Sequence, residues 1–197
     1  MQLAQAEEFL VAIGVWSVAI GGFSPFFSAY FSRYWQMPSK QIGIVDSISR
    51  ISQLLAILTA PALFKKFGLV SGMAYAQVAT AIALACLASA SGPSAAIALY
   101  VGYVAFQWMC EPAIFTVLMN HVERKDRAGA SALTFLVINA SQTIASVVAG
   151  ASYVRFGYPS VIAVTAVAGL AAATLFRLLL SKEAVLSPQG SQVSSGP

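Results

Sequence analysis

Apolar residues fill six stretches of this chain, each closed by a short polar, glycine- or proline-containing turn. The stretches run from about Phe9 to Phe31, Ile42 to Phe64, Leu69 to Ala90, Ala95 to Met119, Ala128 to Val154 and Ser160 to Leu180. A helix of roughly 20 residues rises about 30 Å, the thickness of bilayer hydrocarbon. A lone segment in lipid must satisfy its own backbone, so the pattern predicts six membrane-spanning helices and an all-α fold. The tail from Ser181 to Pro197 is rich in Ser, Gln, Gly and Pro and is expected to be a disordered cytoplasmic tail.

The second and fifth stretches share a pattern. Ser52-Gln53, twelve residues, then Lys66-Phe67-Gly68 recurs 89 residues later as Ser141-Gln142, twelve residues, then Arg155-Phe156-Gly157. Three spans lie in each repeat unit, an odd number, so the second unit enters the bilayer opposite to the first. Residues 1–90 and 91–180 are therefore expected to be two inverted three-helix repeats, the architecture of secondary transporters.

Polar residues inside the spans fall on faces rather than at random. Asp46, Ser49, Arg50 and Gln53 are spaced i, i+3, i+4, i+7, so Asp46 and Arg50 can pair on a face expected to look inward. Tyr103, Gln107 and Glu111 form a stripe in the fourth span, and Asn139, Gln142, Thr143 and Ser146 form one in the fifth. The third and sixth spans are nearly free of polar groups and are expected to face lipid or to support the others. A charge at mid-membrane costs about 2.5 to 3.5 kcal/mol on insertion scales, which singles out Asp46, Arg50 and Glu111. Asp46 and Arg50 either neutralise each other in packing or act in gating. Glu111 is either a coupling or cation-binding carboxyl or a protonated structural one. Gln53 and Gln142 can bond neighbouring helices, and Trp16 and Trp108 can stack on a solute or simply pack. Ser24-Pro25 and Glu111-Pro112 each place a proline inside a span, where it opens the helix.

Composition narrows the classes. With 58% hydrophobic and 9% charged residues and a mean hydropathy of +0.78, water is not the main solvent. Lys65, Lys66, Arg124, Lys125, Arg127 and Lys182 fall on the side of both termini, against Arg33, Lys40 and Arg155 opposite, so both termini are expected in the cytoplasm. Topology thus accounts for the net charge of +4, and nucleic acid is excluded as a partner. Tyr30, Tyr34 and Trp35 are expected as interfacial anchors. Met1 to Glu8 carries no Lys or Arg, unlike a cleaved signal, and is read as leading into a permanent span. Cys86 and Cys110 lack metal spacing, the single histidine, His121, sits at a membrane edge, and no cofactor or metal site is suggested. An intramembrane enzyme would need a paired nucleophile and base, which the chain does not show.

The loop Pro61-Ala62-Leu63-Phe64-Lys65-Lys66-Phe67-Gly68 resembles the major facilitator superfamily pattern G-x-L-x-D-R-F-G. Leu63, Lys66, Phe67 and Gly68 fit. Pro61 stands for the glycine, and Lys65 for the acid that in the family braces the neighbouring half. Glu123 to Ala130, leading into a helix with Asn139, resembles the fourth-to-fifth connection of a second half, and no Arg stands in the fourth span as it does in many first halves. The resemblance spans residues 9 to 180 and implies one six-helix half of a twelve-span transporter, more like the C-terminal one.

From this the sequence leads to a half-unit that moves a small solute by alternating access, in the plasma or inner membrane. A second half, from a homodimer or a separate chain, and proton or ion coupling are implied as partners. The substrate and coupling candidates are Glu111, Gln107, Asn139, Gln142 and Trp16. Asp46, Arg50 and Gln53 form the polar gating group, and Lys65, Lys66 and Gly68 form the loop motif. The alternative is a non-transporting membrane subunit or a truncated transporter fragment. Single cysteines at Lys66 and at Arg155, with Cys86 and Cys110 replaced by serine, test the topology. A membrane-impermeant maleimide added to intact cells should label the Arg155 position and spare the Lys66 position; labelling of both, or the reverse, removes the assigned orientation.

Overall fold

The computed structural model describes residues 3–122 and 126–186, and all regular structure among them is helical. Glu123 to Lys125 of the charged loop, the tail beyond Leu186 and the side chain of His121 lie outside the described residues. The first span is α1 (Leu3–Gly21), a 3-10 turn (Ser24–Phe26), α2 (Phe27–Ala29) and a π-helical turn (Tyr30–Tyr34). The second and third are α3 (Ser39–Phe67) and α4 (Leu69–Ala88). The fourth is split into α5 (Pro93–Met109) and α6 (Glu111–His121), and the last two are α7 (Arg127–Phe156) and α8 (Tyr158–Leu186). Helix α8 thus continues into residues expected in the tail. Five spans, the first counted through its 3-10 and π turns, are long and apolar enough to cross a membrane. The fourth falls short as one helix because it breaks at Cys110, beside Pro112, whose ring nitrogen has no hydrogen to bond back up the helix.

The break in the first span has a second consequence. Pro25 cannot donate to the Gly21 carbonyl, and the Phe26 amide turns to Phe23 (2.8 Å), leaving Gly22 without its helical donor as well. Bare carbonyls in hydrocarbon cost several kcal/mol each, so other groups must meet them. Helix α7 does so: Ser146 Oγ lies 3.1 Å from the Gly21 carbonyl, shared with its own Gln142 carbonyl at 2.7 Å. The buried Tyr153 hydroxyl donates to Gly22 at 2.8 Å. The two glycines permit the approach. A Cβ on Gly21 would lie 2.6 Å from the Gln142 carbonyl oxygen, and one on Gly22 would lie 2.8 Å from Thr165 Oγ1 on α8.

Small residues also build the centre. Helices α4 and α8 form the most extensive helix pair; a Cβ added to Gly169 of α8 would stand 3.3 Å from the Ala81 Cβ of α4, and buried Ala166, Ala172 and Ala173 lie on the same side of α8 as Gly169. Without side chains between them the backbones come close, and dispersion replaces the hydrophobic drive that lipid does not supply. The third and sixth spans therefore support the bundle from within. Helices α3 and α7 flank it and keep broad apolar faces open, with Ile44, Ile48, Ile51, Leu55 and Leu58 on one and Leu136, Ile144, Val147 and Val148 on the other.

At the end away from the termini, Phe23, Phe31, Tyr100, Tyr103 and Tyr153 close into one aromatic cluster. Tyr30 belongs to it, which corrects its expected role as an interfacial anchor: it is 1% exposed, its ring meets Phe23 edge-on at 5.7 Å, and its hydroxyl reaches the Leu87 carbonyl at 3.4 Å. Tyr34, 44% exposed and stacked on Tyr30 at 5.5 Å, remains at the surface.

The two repeated loops have the same shape. Gly68 (φ 82°, ψ 155°) ends α3 and Gly157 (φ 77°, ψ 168°) ends α7, a conformation open to glycine alone. Lys66 Nζ lies 5.4 Å from the centre of the Phe67 ring, and Arg155 Cζ lies 5.4 Å from that of Phe156.

Removing the Tyr153 hydroxyl should leave the Gly22 carbonyl buried and unpaired. We expect Tyr153→Phe to cost about 1 to 3 kcal/mol of stability. Ser152→Ala, which removes a hydroxyl bonded within α7 to Val148, should stay within about 0.5 kcal/mol. Thermal unfolding of the two variants in one detergent checks this, and equal midpoints would contradict the role given to Tyr153.

Candidate functional site

Both proline breaks lie at one level, and a cavity of about 260 Å³ opens there between α1, the α5–α6 junction and α7. Helix α1 contributes Ile13, Trp16, Ser17, Ile20 and Gly21, and Ser24 of the 3-10 turn extends the same i, i+3, i+4, i+7, i+8, i+11 stripe. Gln107 and Trp108 end α5, Glu111 begins α6, and Ile138 and Gln142 face the cavity from α7. The break places Glu111 in the first turn of α6, where the helix dipole favours a carboxylate. Trp16 is packed into the wall at 2% exposure, whereas Trp108 is only half-buried and leaves part of its ring open. Gln107 is 6% exposed, and its Oε1 has no hydrogen-bond partner among the described residues. Among the described residues, no three of His, Cys, Asp and Glu come together in a way that could hold a metal ion.

A split-helix cavity at mid-span within an all-helical six-span bundle is the geometry of a membrane carrier. The family model for the Major Facilitator Superfamily matches residues 9–196. The chain belongs to the major facilitator superfamily. The crystal structure of a bacterial homologue of the iron transporter ferroportin, in its outward-facing state, is similar in fold, with a TM-score of 0.67 at 13% identity. The match covers 92% of this chain and 45% of that one, so the chain spans less than half the length of that relative. No curated protein matches the sequence.

Against the superfamily fold, the sequence candidates divide by face. Trp16, Gln107, Glu111 and Gln142 come together in the cavity. Asn139 does not line it: one position on from Ile138, it is turned to the exposed side of α7, where its Nδ2 donates to the Phe135 carbonyl at 2.7 Å. Arg50 reaches Asp46 (Nε to Oδ1, 3.5 Å) and donates from Nη1 to Gln53 Oε1 at 3.3 Å. This group lies along the open side of α3, with the Arg50 side chain 60% exposed, rather than turned into the chain's own interior. Only Ser49 of that stripe is buried. Lys65 and Lys66, expected in a loop, are exposed in the last turn of α3, Gly68 is exposed just after it, and none of the three lines the cavity.

Sequence reasoning did not pick out Ser17, and it named Ser24 only as the residue before Pro25, although their i, i+7 spacing around Gly21 carries the signal. It also passed over Gln77 on α4, fully buried with both amide atoms unpartnered among the described residues, because one amide barely changes the hydropathy of its helix.

Gly21 sits where the cavity wall and the α1–α7 contact coincide. Gly21→Ala should destabilise the protein by about 1 to 3 kcal/mol through overpacking against Gln142. Gly102→Ala, with nothing within 4 Å of its added Cβ, should be neutral or stabilising. Unfolding midpoints of opposite sign check the wall geometry; a neutral Gly21→Ala would mean that α1 and α7 do not touch there.

Proposed function

We propose that this chain is a six-helix half of a secondary transporter that moves a small solute by alternating access, completed by a second half supplied by another copy or a separate chain. One observation carries the reading: the cavity at the proline breaks gathers Trp16, Gln107, Glu111 and Gln142 from three spans at mid-membrane depth. Members of the superfamily are transporters rather than enzymes, and the cavity requires no covalent chemistry. The open apolar faces of α3 and α7, with the Asp46–Arg50–Gln53 group and Asn139 among them, are the surfaces on which the second half would rest. The 45% coverage of the similar structure fits one half of such a molecule.

In this reading residues 1–90 and 91–180 are inverted repeats, supported by the shared geometry at Gly68 and Gly157. Rocking of one half against the other exposes the cavity to each side in turn. Glu111 is the coupling carboxyl for a proton or cation gradient, and both termini lie in the cytoplasm, with the chain in the plasma or inner membrane. The similar structure is a homologue of an iron transporter, but its cargo is not carried over to this chain, whose cavity holds a single carboxylate among the described residues.

The mass of the purified chain in mild detergent, followed by uptake into proteoliposomes, tests the proposal. We expect a dimer, flux above empty vesicles, and a loss of at least tenfold in Glu111→Gln. A monomer without flux would instead identify a non-transporting subunit or a transporter fragment.

A further inference from the structure

We infer that the cavity at the proline breaks selects an organic monocation, a substituted ammonium group, over neutral solutes, anions and divalent metal ions. This inference rests on the transport-site reading and adds the chemical class of the solute.

The first ground is charge. Among the described residues, Glu111 is the only ionisable side chain lining the cavity, with no Lys, Arg or His beside it. A carboxylate at mid-span is costly when alone, and a ligand bearing one positive charge removes that cost. An anion would meet repulsion from Glu111. The positive end of the α6 dipole, which would otherwise attract it, already has Glu111 in its first turn.

The second ground is the surround. Trp108 leaves part of its indole open to the cavity, Trp16 backs the wall, and Ile20 and Ile114 are apolar. Indole faces attract cations through their quadrupole, most strongly those whose charge is spread over alkyl groups and weakly hydrated. Apolar walls accept the substituents. Divalent metals are held chiefly by several carboxylates or by nitrogen and sulfur ligands, whereas the described lining offers one carboxylate, the neutral amides of Gln107 and Gln142 and the hydroxyls of Ser17 and Ser24. The volume of about 260 Å³ lies just below the usual range of about 300 to 1,000 Å³ for ligand sites, which suits a compact ammonium ion.

The test uses the full chain in lipid nanodiscs, titrated with choline, its uncharged isostere 3,3-dimethylbutanol, the anion 3,3-dimethylbutyrate, and Mn²⁺. Tryptophan fluorescence and calorimetry are the readouts. Choline is expected to bind at least tenfold tighter than the isostere. Glu111→Gln should abolish that preference, Glu111→Asp should retain it, and Trp108→Leu should weaken choline several-fold. Unfolding midpoints confirm that each variant is folded, and the aspartate variant keeps the test decisive if the glutamine variant is not. Equal binding of the isostere, tighter binding of butyrate or Mn²⁺, no choline binding, or a preference that survives Glu111→Gln would each overturn the inference. Choline preference without flux in proteoliposomes would retain this inference and remove the transport reading. Flux of a neutral or anionic solute without choline preference would do the opposite.

Discussion

Inside hydrocarbon a backbone carbonyl has no water to turn to, so a proline in a spanning helix must be answered by a neighbour. Pro25 sets that demand at Gly21 and Gly22, and Ser146 and Tyr153 of α7 meet it. The arrangement fixes more than a kink. It sets the depth at which α1 stops being a helix, the distance of closest approach between α1 and α7, and the register of Gln142 against Gly21. Because the fourth span breaks at Pro112 on the same level, two interruptions and one crossing coincide, and the cavity is the space they leave.

The rest of the bundle is arranged around that crossing. The α4–α8 seam of alanine and glycine is a close-packed spine with little room to deform. Helix α3 packs chiefly on α5 and helix α7 on α1, and each ends in a glycine that turns the chain in a conformation other residues avoid. A stiff centre with two less encumbered flanks suits a unit that moves as a rigid body. The Asp46–Arg50–Gln53 group then lies where contact with another surface would be made and broken. A partly exposed pair of this kind contributes little to stability by itself, about 0 to 1 kcal/mol, so its energy is small enough to be exchanged between states.

Depth was legible in the sequence and azimuth only partly so. Hydropathy located the spans because the length of an apolar run is a one-dimensional quantity, and the prolines marked the breaks because a missing amide hydrogen acts locally. The Gln107–Glu111 stripe and Gln142 were found by helical spacing and do share a cavity. Asn139 shows the limit of that method: three residues from Gln142 is about 60° around the helix, enough to move a side chain from the cavity wall to the open flank. Tyr30 shows another, since a tyrosine near a span end can be an anchor or part of a packed cluster, and its contacts with Phe23 in the same span and with Leu87, 57 positions on, decide between them. Gln77 was hidden because only Thr80, three residues on, joins it on that face of a largely apolar helix.

The bonds to Gly21 and Gly22 join residues 125 and 131 positions apart. During synthesis the first span reaches the membrane long before its donors exist. At about 5 to 20 residues per second the ribosome needs on the order of ten seconds to deliver Tyr153. Through that interval the broken end of α1 must be kept hydrated or held by the insertion machinery. The assembly of this protein is thus timed by a helix that arrives late.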